Sequence, residues 1–107
     1  MIRYQVAWAI TARDDLEAIA EYIADDNPIV ALKIVERLES RAASLTTAPL
    51  RGRIVPELRW HGVMSLRELI EKPWRIIYRI EGQEVHVISV LDGRRSLEDL
   101  LLDRFVR

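Results

Sequence analysis

The chain has 107 residues, 50% hydrophobic and 31% charged, a balance that suits one globular domain spanning 1–107 with a single core and no deep enclosed active site. With no cysteine and two isolated histidines it offers neither a disulfide framework nor a thiolate zinc site, so no metal and no cofactor is expected. The formal net charge of -1 argues against strong sequence-independent nucleic-acid binding, and the lack of a signal-peptide core or a membrane-length apolar run points to a cytoplasmic protein with no membrane partner.

Residues Ile2 to Trp8 are short, β-branched and aromatic, which suits an opening strand. From Thr11 the period changes. Leu16, Ile19, Ala20 and Ile23 fall on one helical stripe, with Thr11 and Asp14 as a capping arrangement. In Asp26-Asn27-Pro28, Asn27 caps a second helix and Pro28 opens it without losing a hydrogen bond. Ala31, Ile34, Val35, Leu38, Ala42 and Leu45 form its apolar stripe, and the short connection predicts an antiparallel helical hairpin.

Ala48-Pro49-Leu50-Arg51-Gly52 ends the helical pattern. Strands are predicted at Val63 to Ile70, Trp74 to Ile80 and Glu84 to Leu91. Trp74, Ile76, Tyr78 and Ile80 alternate with Arg75, Ile77 and Arg79, the pattern of a half-buried strand. Glu81-Gly82-Gln83 joins the last two strands as a hairpin, and Lys72-Pro73 makes a tight turn before them. Ser96 and Asp99 read as a capping box for a short C-terminal helix, whose Leu97, Leu100, Leu101 and Phe105 cover either their own sheet or a partner. The fold class is α+β: an N-terminal strand, a helical hairpin, then a three- to four-stranded, mainly antiparallel sheet with that terminal helix.

Acidic residues gather in the first helix region (Asp14, Asp15, Glu17, Glu21, Asp25, Asp26), while Arg67, Arg75, Arg79, Arg94 and Arg95 lie in the second half. Ordinary solvated faces and a functional basic patch both fit this bias.

A run of blocks resembles the RelE/ParE toxin family. These are Trp8, Ala12, Asp15-Leu16, Ile19 and Tyr22-Ile23, then Asn27-Pro28 and Ala31, then Leu45, Pro49, Gly52-Arg53 and Glu57. Arg67-Glu68-Leu69-Ile70, Trp74 to Arg79 and Gly93-Arg94-Arg95 complete the series. The resemblance implies a RelE/ParE-like fold and a type II toxin held inactive by a ParD-like antitoxin in a hetero-oligomer. The antitoxin's C-terminal part would fold onto the toxin. An apolar groove along the hairpin would receive it, with Leu16, Ile19, Ile23, Ile34 and Leu38 as contact candidates.

The family divides into ribosome-dependent mRNA endonucleases, like RelE, and inhibitors that trap DNA gyrase on cleaved DNA, like ParE. Metal-free RNA cleavage needs a base, an acid and cations around the phosphorane. By resemblance Arg75 and Arg94 or Arg95 match RelE-like arginines, but Leu66 and Glu68 stand where lysines would. No tyrosine or histidine follows Arg95. Glu68 can be cast as a YoeB-like base, though without its partner acid, and His86 reads as a structural strand residue. The ParE branch fits better, with a role in plasmid stabilisation. No residue is then catalytic, and Arg67, Arg75, Arg79, Arg94 and Arg95 are candidates for binding gyrase rather than any specific nucleic acid. Asp92 departs from the histidine common before the Gly-Arg-Arg element. The alternatives are a RelE-like nuclease using Arg75, Arg94 and Arg95, or an inactive toxin-fold binding module.

Overall fold

The computed structural model describes residues 2–94 and 97–106. In chain order it contains β1 (Gln5–Trp8), α1 (Ile10–Ala24), α2 (Pro28–Ala43), a 3-10 turn at Ser44–Thr46, β2 (Arg53–Ile54), α3 (Pro56–Arg59), β3 (Arg67–Glu71), β4 (Trp74–Glu81), β5 (Glu84–Asp92) and α4 (Glu98–Phe105). The expected α+β plan is present, built on a five-stranded mixed sheet in the order β1-β5-β4-β3-β2. β1 runs parallel to β5, and the other pairings are antiparallel.

The fifth strand is β2, only two residues long, and α3 has only four. Neither is long enough to show a hydrophobic period. The segment from Val63 reads as strand by composition, but the chain turns back there. Val63 N donates to Leu58 O and Val55 N to Leu66 O, so β3 starts only at Arg67.

Asn27 caps α2 as its sequence predicts, its side chain accepting from Ile29 N at 3.1 Å and Val30 N at 3.2 Å, with Pro28 following. The predicted cap of α1 is different. Ala9 holds the capping position with no side-chain bond, and Thr11 Oγ1 donates to Ile88 O at 2.7 Å. β1 ends at Trp8 while β5 continues to Asp92, which leaves an unpaired stretch of β5 edge. Polar side chains of α1 fill it: Thr11 takes Ile88 O, and Asp15 accepts from Val90 N at 3.0 Å. At the start of α4, Leu97 holds the capping position without a side-chain bond, and Ser96 lies outside the described residues.

One face of the sheet packs on the hairpin through Ala12, Leu38, Ala42, Ile76, Tyr78 and Val87. The other carries Val55, Leu58, Ile77, Leu91, Leu97 and Leu101, supplied in part by α3 and α4. The alternation in β4 is therefore real, but Trp74 to Tyr78 are buried on both faces rather than half-buried, because α3 and α4 cover the second side. Leu97 and Leu101 sit in that layer, so the C-terminal segment packs on its own sheet.

The β4–β5 register slips between Ile77 and Tyr78, which pair with Ser89 and Val87. The extra residue, Ile88, is a bulge that resets the alternation of β5. Val90 thereby joins the hairpin-side core, while Ser89 meets α4, where Arg104 Nη1 donates to its hydroxyl at 2.9 Å. No described helix is long and apolar enough to cross a membrane.

Leu101→Ala is expected to cost about 2–5 kcal/mol in urea unfolding through the cavity it leaves. Leu100→Ala, on the open side of the same helix, should cost under about 1 kcal/mol. Equal costs would contradict the packing described for α4.

Candidate functional site

The middle of the second sheet face contains charge. Glu68 on β3 is fully buried, and Arg75 on β4 is nearly so. A carboxylate cannot be buried there without donors. Arg53 Nε donates to Glu68 Oε2 at 2.7 Å from β2, and Arg75 Nε donates to Glu68 Oε1 at 2.6 Å from β4. The remaining fork of Arg75 is taken by α3: Nη1 and Nη2 donate to Glu57 at 2.6 and 2.7 Å. Pro56 at the start of α3 and the buried Leu58 beside it hold Glu57 in this position. The bond to Arg75 keeps the Glu57 carboxyl below its ordinary value of 4.5, and the bond to Glu57 raises Arg75 further. Guanidinium geometry allows such a bidentate pair, which lysine would not reproduce.

Tyr78 anchors the connector on the opposite face. Its hydroxyl donates to Pro49 O at 2.7 Å and accepts from Gly52 N at 2.9 Å, and burial pushes its pKa up. A side chain at position 52 would collide with Glu68 O and come within 2.6 Å of the Tyr78 hydroxyl. Only glycine fits this approach.

The candidate arginines do not form one patch. Arg67 pairs with Tyr78 across the ladder and donates to Gly52 O at 2.8 Å, whereas Arg75 lies on the other face. Arg79 is exposed and paired with Glu81 at 2.8 Å. Arg94 is exposed and held by Asp92, its Nη2 donating at 2.8 Å, which raises its pKa. Arg75 and Arg94 share one end of the sheet, since a side chain at Gly93 would meet the Arg75 stem at 3.1 Å. Arg95 lies outside the described residues.

The antitoxin candidates also divide. Leu38 is wholly buried, and Leu16, Ile19, Ile23 and Ile34 pack against the same core. The stripe that makes a helix amphipathic faces its own sheet, so Leu38 presents no surface to a partner. Ile19 and Ile23 keep one edge open to a groove of about 420 Å³ between α1, the sheet end and α4. Tyr22, Trp74, Leu97 and Leu100 also line it, with Asp92 and Arg94 at the rim. Tyr22, 82% exposed, is its most prominent side chain. Arg94 from one candidate set and Ile19 and Ile23 from the other thus meet in this groove.

Sequence reasoning assigned no role to Glu57 or Tyr22. An arginine on the inward alternation of a strand demands a carboxylate, and Pro56-Glu57 was the available signal. Tyr22 could be found as the large residue left off the apolar stripe.

Arg75→Ala should destabilise the fold by about 3–5 kcal/mol, because Glu68 stays buried with half its donors gone. Glu57 has a depressed pKa, so its contribution is complete above the unfolded value and disappears as pH falls through the folded value. Stability should therefore drop below about pH 4.5 more steeply in the wild type than in Glu57→Gln. Thermal melts across this range would measure the difference, and parallel curves would rule it out.

Comparison with known proteins agrees with this fold. The family model "ParE toxin of type II toxin-antitoxin system, parDE" matches residues 6–97. Toxin ParE3 of Caulobacter vibrioides is 33% identical over 84 residues, 78% of this chain and 80% of its own length. Toxin RelE2 of the same organism is 34% identical over 92 residues, 85% of this chain and 97% of its own. The solved chromosomal ParDE TA system from P. aeruginosa has the same fold, with a TM-score of 0.71 at 24% identity over 86% of this chain and 98% of that one. With an α+β fold shared throughout and a family match covering most of its length, the chain belongs to the ParE toxin family of type II toxin–antitoxin systems, within the ParE/RelE superfamily.

Proposed function

We infer that this toxin acts by binding rather than by cutting RNA: it is a ParE-like poison of DNA gyrase, acting in the cytoplasm and neutralised by a ParD-like antitoxin. The observation that carries this reading is the state of Arg75. Its Nε is committed to Glu68 and its two terminal nitrogens to Glu57. A guanidinium so engaged has no fork left for a phosphorane. Glu68, the candidate base, is buried beneath two arginines, and the Tyr78 hydroxyl is spent on Pro49 O. Residues 96–107 contain no histidine or tyrosine to donate a proton.

Binding by contrast needs only surface. The groove between α1 and α4 offers Tyr22, Ile19, Ile23 and Leu100 over an apolar floor, a surface suited to an antitoxin segment. Arg79 and Arg94 remain the exposed candidates for contact with gyrase. A RelE-like ribosome-dependent nuclease is the second reading, favoured by the likeness to Toxin RelE2. An inactive binding module is the third.

Purified protein added to bacterial gyrase should inhibit supercoiling and accumulate cleaved DNA, while mRNA on programmed ribosomes stays intact. Codon-positioned cuts with normal gyrase activity would establish the nuclease instead, and inactivity on both targets would leave the binding module. Tyr22→Ala should weaken antitoxin capture by about tenfold or more, as loss of an aromatic anchor does. Titration calorimetry with the cognate antitoxin would read that change.

A further inference from the structure

The most exposed large apolar side chain among the described residues is Trp60, 87% accessible at the end of α3. The other two tryptophans serve the core: Trp74 is buried, and Trp8 packs against the hairpin-side cluster. The turn that holds Trp60 outward is well built. Val55 and Leu58 are fully buried in the cluster on the second sheet face, and Val63 packs against it. Between these anchors His61 N and Val63 N both donate to Leu58 O at 3.0 Å, and Gly62 N donates to Arg59 O at 3.0 Å. Gly62 supplies the positive φ of 79° at which the chain reverses. Trp60 therefore stands on a hydrogen-bonded knuckle, its backbone helical at φ -62° and ψ -22°. A partner that takes the indole has little backbone order left to impose.

The side chains around the indole indicate what it meets. Met64, 49% exposed, follows on the same turn. Arg59 is exposed, and among the described residues its guanidinium has no hydrogen-bonded or ion-paired partner. His61, by contrast, stands 3.7 Å from Glu98, and Glu57 is bound to Arg75. One uncommitted cation in the company of two carboxylates is a poor footing for a phosphate backbone, which calls for several cations. An indole, a thioether and a free guanidinium are instead the residue types that anchor protein interfaces.

We propose that the α3 knuckle anchors the toxin on its target protein: Trp60 enters an apolar pocket of that protein, and Arg59 meets a carboxylate at the pocket's rim. This anchor presupposes gyrase as the target and adds a contact separate from Arg79 and Arg94. With Val55, Leu58 and Val63 it belongs to the layer on the second sheet face, whereas the hairpin covers the first. Tyr22 and the groove between α1 and α4 are not part of it.

The full chain and its variants can be titrated into purified gyrase while supercoiling and DNA cleavage are followed. Trp60→Ala should raise the concentration for half inhibition about tenfold or more, and Trp60→Phe should recover part of the loss. Arg59→Glu should weaken inhibition more than Arg59→Gln does, because it sets like charges against each other at the rim. Both side chains are exposed, so melting curves should match the wild type, and capture by the cognate antitoxin should be unchanged. Full inhibition by Trp60→Ala would overturn the anchor and leave gyrase as the target. A wild type inactive on gyrase would overturn the target and the anchor together. Quenching of the indole by a gapped DNA duplex in the absence of gyrase, lost in Trp60→Phe, would overturn the protein pocket by placing Trp60 on bases. Loss of antitoxin capture with gyrase inhibition retained would assign Trp60 to the antitoxin and overturn the anchor as well.

Discussion

The fold depends on burying the Glu68 carboxylate in the centre of a sheet face. A lone buried carboxylate is strongly unfavourable, and it becomes tolerable only when its oxygens meet fixed donors. Those donors are Arg53 and Arg75, and Arg75 in turn needs Glu57. One side chain thereby specifies where β2, α3, β3 and β4 lie relative to each other. Two of these elements are too short to persist by local preference alone.

The same arrangement fixes Arg75 at the centre of the sheet face. Arg75 keeps its place after the aromatic residue of β4, but its fork is closed by Glu57, so it contributes to the architecture. The exposed relief and charge include Tyr22 above the groove, Arg94 at its rim and Arg79 on the outer part of β4. In a domain of this size, with both faces of the sheet covered, much of the outward surface belongs to the covering helices.

Much of the architecture is legible in the residues because its causes are local. Asn27-Pro28 marks a helix start by its own chemistry, Gly82 adopts the positive φ of 57° that its hairpin requires, and the stripes of both helices predict their buried sides. The obscure parts are those decided by distant partners. The bulge at Ile88 and the engagement of Thr11 with Ile88 O depend on residues from opposite ends of the chain. At the site, a sequence displays a cation such as Arg75 but not the carboxylates folded against it. It also marks Leu38 as apolar without saying that the protein's own sheet consumes it. The surface-facing set, Tyr22, Ile29 and Leu32, is what remains once the buried stripe is subtracted.

The parallel pairing of the first strand with the last has a consequence for timing. Gln5 finds Glu84 and Trp8 finds Val87, so the sheet cannot close until nearly the whole chain has left the ribosome. At synthesis rates of about 5–20 residues per second, the N-terminal strand waits several seconds for its neighbour. Until then the edge of β5 that β1 covers stays open, and the five-stranded sheet is completed only at the end of synthesis.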